Sequence, residues 1–89
     1  MKVTIRDSLS VRKIGDEIFI FDRKLSKIHT FNKVGSLIWE QLKENADAES
    51  IANSIVDRFE VDKGTAEKDL TEFIDELEKK KLITTEKST

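Results

Sequence analysis

The spacing of apolar residues changes near residue 32 of the chain. Before it, hydrophobic positions alternate or run together in short stretches; after it, they recur every third or fourth residue. Ser10–Ile14 and Glu17–Phe21 flank Gly15-Asp16, a glycine-first pair that predicts a two-residue hairpin. The second of these strands is apolar on both faces, with Ile18 and Ile20 on one and Phe19 and Phe21 on the other. That pattern predicts cover on both sides. Asp22–Ser26 reads as a polar connection and Lys27–Phe31 as a third strand, left at the edge of the meander. Val3 and Ile5 also alternate, but Arg6-Asp7-Ser8 interrupts them, and the pattern assigns that arm to nothing.

Three helices follow. Asn32 suits an N-cap, because its side chain accepts a hydrogen bond from an amide that the first turn leaves unpaired. Val34, Leu37, Ile38 and Leu42 then form one stripe, with Gly35 and Trp39 on its flank. The small residue lets another part of the chain approach closely. Trp39 reads as a core anchor in preference to an exposed contact, given its large apolar area. After Asn45-Ala46, Asp47 caps a helix whose apolar face is Ile51, Ala52, Ile55, Val56 and Phe59. Asp62 caps the last helix, which turns Ala66, Leu70, Phe73, Ile74 and Leu77 towards the core. Lys79-Lys80-Lys81 sits where cations suit the negative end of the helix dipole. Leu82-Ile83 reads as a short apolar return and Thr84–Thr89 as a frayed polar tail. With no proline and three glycines, no linker divides the chain, and residues 1–89 are expected to form one domain with a core over about 9–84. The expected fold class is α+β: a winged helix-turn-helix in which a three-stranded antiparallel sheet packs on three helices, in the order β-β-β-α-α-α.

Composition narrows the chemistry. The absence of cysteine excludes disulfides, thiolate metal sites and a cysteine nucleophile, and a single histidine leaves no cluster for zinc or for relayed acid–base chemistry. No catalytic residue, metal or cofactor is therefore expected. Apolar runs are too short to span a bilayer, and the first residues lack an apolar signal region, so a cytoplasmic protein with no membrane partner is expected. A winged helix raises the alternative of a DNA-binding transcriptional regulator. The net charge of −2, and seven acids against four lysines between Asp62 and Lys80, have the wrong sign for a phosphate surface, so no nucleic-acid partner is expected.

Several segments together resemble the PqqD-like family, named for pyrroloquinoline quinone biosynthesis protein D. Thr30–Glu40 is similar to its leucine-asparagine … glycine/alanine … isoleucine-tryptophan segment, and Ala48–Ala52 to its threonine-valine-glutamate-glutamate-isoleucine segment. Phe59–Asp62, then Asp69-Leu70, Phe73-Ile74 and Leu77, resemble the run tyrosine-aspartate-valine-aspartate … aspartate-valine … phenylalanine-leucine … leucine. The order and spacing match over about residues 9 to 84. Asn45-Ala46-Asp47 and Lys81 depart from the family's aspartate-glycine turn and glycine, which touches helix ends only. The resemblance implies a RiPP recognition element: a non-catalytic, peptide-chaperone-like domain that binds the leader of a ribosomally made precursor peptide. It presents the precursor to a modifying enzyme, such as a radical S-adenosylmethionine maturase or a leader protease.

In such domains the leader adds as a strand to the third strand, in a cleft against the third helix. Physically, a free edge offers unpaired amides and carbonyls, and side-chain pockets select the peptide. The expected peptide-binding residues are Lys27, Ile28, His29, Thr30 and Phe31 on the edge, with Asp69, Phe73, Glu76 and Lys80 along one margin of the third helix. The other margin, Glu67, Thr71 and Glu78, stays open. So do the simpler readings, in which Lys27 and His29 only blunt the edge and Phe73 is ordinary core. A monomer, or a weak dimer through the free edge, is expected.

Overall fold

The computed structural model describes residues 2–86. Among these, β1 (Lys2–Ile5), β2 (Leu9–Ile14), β3 (Glu17–Asp22) and β4 (Lys27–Phe31) precede α1 (Lys33–Lys43), α2 (Ala48–Phe59) and α3 (Lys63–Lys79), and β5 (Ile83–Glu86) closes the order. The sheet β2-β3-β4 is the expected antiparallel meander, with Gly15 at φ +63° in the two-residue turn and β4 paired on one side only, with β3. The unassigned arm is β1. It pairs antiparallel with β5, so that Val3 faces Thr85 and Ile5 faces Ile83. Thr84, Thr85 and Glu86 are therefore strand residues and not part of a frayed tail; Lys87, Ser88 and Thr89 lie outside the described residues. Weak alternation in two segments far apart in sequence becomes strand only when each supplies the other's hydrogen bonds.

The three expected caps form. The side chains of Asn32, Asp47 and Asp62 accept from the amides of Gly35 (2.8 Å), Ser50 (2.7 Å) and Thr65 (2.7 Å), each three residues on. Glu60, at φ 53°, takes the left-handed conformation that ends α2, and Lys81, at φ 59°, takes it after α3. Ile18, Ile20 and Phe31 from the sheet meet Ile38, Trp39, Ile51, Ile55, Leu70 and Leu77 from the helices in one buried cluster. Trp39, 1% exposed, is core. The expectation that both faces of β3 are covered is corrected. Ile18 and Ile20 are buried, but Phe21 on the opposite face is 42% exposed and its cross-strand partner Ile28 70%. The helices all pack on the Ile18–Ile20 side, and among the described residues no layer covers the other.

Two polar ties fasten these layers. Buried Ser36 in α1 accepts from the Ile18 amide at 3.0 Å and donates to the Phe31 carbonyl at 3.2 Å. Ile18 and Phe31 are cross-strand partners, so the hydroxyl completes the end of the β3–β4 ladder. At the other end, Asp22 is fully buried and forms an ion pair with Arg6, while its second oxygen accepts from the amides of Lys24 and Leu25, both at 3.1 Å. Asp22 thus belongs to the strand and anchors the turn, rather than forming part of a solvated connection.

Replacing Ser36 with alanine strands a buried amide and a buried carbonyl at once. The expected loss of unfolding free energy is about 1–3 kcal/mol, read from urea melts. Hydrogen bonding to Arg6 holds the Asp22 carboxyl below its usual range, against the opposing effect of burial. Its stabilising contribution is therefore complete above about pH 4 and fades as the pH falls further. Asp22→Asn should be less stable than the wild type at neutral pH, yet lose less stability on acidification below about pH 4.

Candidate functional site

Strand alternation sorts the residues of β4. Phe31 is buried and His29 half-buried on the inner side, whereas Ile28 and Thr30 point to the uncovered face. The Phe31 ring meets Trp39 of α1 at 5.6 Å and Phe73 of α3 edge-on at 4.9 Å. The Phe31–Phe73 contact brings α3 against the inner side of β4, where the resemblance places the leader cleft. Burial lowers the His29 pKa, and the charge of Lys80, the residue that caps α3, lowers it further. Of the expected residues on α3, Asp69 and Phe73 are half-buried, Glu76 is exposed, and Lys80 donates to Glu76 at 3.1 Å. Phe73, on this margin, meets the strand through Phe31. On the other margin, Glu78 lines a separate groove with Arg6, Lys24 and Lys81.

The main chain of β4 is as informative as its side chains. In a two-residue hairpin the closing pair, here Ile14 and Glu17, exchanges both of its hydrogen bonds, and the antiparallel ladder then alternates. Carried across β3, the alternation ties Phe31 and His29 to Ile18 and Ile20 and turns the amides and carbonyls of Ile28 and Thr30 to the free edge. The Ile18 amide points as this requires, since it bonds to Ser36 beside the Phe31 carbonyl. The edge thus offers a short, regular row of unpaired donors and acceptors.

Gly35 sets the distance between α1 and α3. A Cβ there would lie 2.8 Å from Phe73 Cε1, 3.2 Å from its Cζ and 3.3 Å from the Phe31 Cβ. Sequence reasoning expected a close approach at Gly35 but not its partner, and it assigned no part to Ser36, Arg6 or Asp22. For Ser36 and Arg6 no local pattern marks the role, because each bonds to a residue distant in sequence. Asp22 also bonds within its own turn, and an aspartate opening a turn is a recognisable signal.

Residues 17–83 match the family model described as coenzyme PQQ synthesis protein D. The chain belongs to the PqqD family. Among solved structures, TbiB1 in complex with the TbiA(beta) leader peptide is 30% identical, covers 94% of this chain and 98% of its own, and superposes with a TM-score of 0.85. A lasso peptide synthetase B1 complexed with the leader peptide, at 18% identity, shares the fold, with a TM-score of 0.87 over 96% of this chain and 100% of its own. No curated protein sequence matches the chain. As in the resemblance read from sequence, this PqqD-family chain combines a winged-helix core with a free third meander strand. Nothing in the comparisons favours the DNA-binding alternative, and the exposed positions of α3 carry Glu67, Glu72, Asp75 and Glu76 against Lys63, Lys68 and Lys79, with no excess of positive charge.

Gly35→Ala adds helix propensity of about 1 kcal/mol and forces the Phe73 ring into the cleft at a similar cost. The expected net change in stability is below about 1 kcal/mol, whereas ring-to-ring NOEs between Phe31 and Phe73 should weaken or vanish.

Proposed function

We propose that this chain binds the leader segment of a ribosomally made precursor peptide by strand addition to β4 and presents the precursor to a separate modifying enzyme. The observation that carries this reading is the edge itself. The amides and carbonyls of Ile28 and Thr30 face outwards beside an aromatic wall of Phe31 and Phe73, as β-augmentation requires. TbiB1, 30% identical to this chain, is in complex with a leader peptide, which supports the same role here. Lys27 to Phe31 supply the edge, and Phe73, Asp69, Glu76 and Lys80 the facing wall.

The chain's part is non-catalytic. It has no cysteine and one histidine, and among the described residues no group of three histidine, aspartate or glutamate side chains is placed to hold a metal ion. The modifying enzyme is a leader protease or a radical S-adenosylmethionine maturase, and the encounter takes place in the cytoplasm, where ribosomal precursors are made. No helix among the described residues is long and apolar enough to cross a membrane.

Thr30→Pro removes an outward donor without breaking a bond to β3. Synthetic peptides covering the short reading frames that flank the gene serve as probes in fluorescence anisotropy. At least one should bind the wild type, and the proline variant should bind it about a hundredfold more weakly while keeping its helical circular dichroism. A folded variant with unchanged affinity rules out strand addition at β4.

A further inference from the structure

Two buried ring nitrogens near the Phe31–Phe73 contact lack a partner: Trp39 Nε1 in the core and His29 Nε2 on the edge strand. His29 Nε2 is buried, and no hydrogen-bond partner reaches it. A polar nitrogen left in this state is costly, and a ligand group that bonds to it recovers the loss. The ring stands on the inner side of β4, two residues before Phe31, whose own ring meets Phe73. Lys80 from α3, Lys27 from β4 and Arg6 from the β1–β2 connection act on it as cations, and Asp22 from β3 as the opposing acid. Asp22 is engaged by Arg6 and by its own turn, and Glu76 bonds to Lys80. Three cations against two acids leave an excess positive charge at this end of the cleft.

Resting on the peptide-binding reading, we propose that the cleft selects a leader with an aspartate or glutamate opposite His29, its carboxylate accepting the Nε2–H and lying beside the Lys80 ammonium. On an added strand, residues facing the cleft recur every second position. The acid therefore stands two residues from the large apolar residue that covers Phe31 and Phe73. Burial, with Lys80 adding to it, holds the free imidazole below its usual pKa, so it is neutral at pH 7. A carboxylate against it raises that pKa. The complex then holds more protons than the free protein, and affinity rises as the pH falls.

Selection of a random linear peptide library on the intact protein tests this. Recovered binders should share an acid two positions from an aromatic or branched apolar residue. Replacing that acid by its amide should weaken binding about tenfold, the size of one charge-assisted hydrogen bond. His29→Gln and Lys80→Met should each abolish the preference for acid over amide, so that the two peptides bind either variant equally. Calorimetry in buffers of different ionisation enthalpy should show proton uptake between about pH 8 and pH 5 with the acid peptide only. Binders that lack the acid, or acid and amide twins that bind the wild type equally, overturn the proposal while leaving strand addition intact. A library that yields no binder, or binders indifferent to Thr30→Pro, removes the peptide-binding reading and this one with it.

Discussion

The cleft depends on how the start of α1 is fastened to the end of the β3–β4 ladder. One hydroxyl, that of Ser36, takes the Ile18 amide and gives to the Phe31 carbonyl, so helix and both strands share a single buried junction. Asn32 caps the same helix from the residue after β4, which leaves no slack between strand and helix. Phe31 is thereby held with its ring against Trp39 and Phe73, and its strand keeps one edge free. A looser joint would let β4 slide by a residue, and a slip of one residue would exchange its inner and outer sides.

The opposite end of β4 is held by charge. The ribbon of β1 and β5 carries Arg6 to the buried carboxylate of Asp22, which also fixes the turn leading into Lys27. A buried ion pair is weak evidence for added stability, because desolvation offsets much of the attraction. Its clearer effect is positional: it ties the terminal ribbon to the turn before the edge strand. The edge is thus pinned at both ends and open between them. Such a strand is normally an aggregation hazard. Here it is five residues long and begins with the charged Lys27.

Much of this was legible in the residue pattern. The change of period near residue 32, the glycine-first hairpin and the caps at Asn32, Asp47 and Asp62 are local signals, and each acts within a few residues of its own position. Helical spacing likewise placed Asp69, Phe73, Glu76 and Lys80 on one margin of α3, though it left open which margin meets the strand. The outer face of β3 was misread for a related reason. Phe19 and Phe21 look like core in a linear pattern, and only the packing of all three helices on one side leaves Phe21 exposed.

The sequence by itself determined the three-stranded meander, the three helices, their order and the edge position of β4, because periodicity, turn chemistry and capping are short-range properties of the chain. Tertiary structure decided what that edge faces. The pairing of β1 with β5, the Ser36 junction and the approach of Gly35 to Phe73 join residues from 5 to 84 positions apart. Contacts of that kind leave no periodic trace, since each depends on two segments meeting in space rather than on neighbours along the chain.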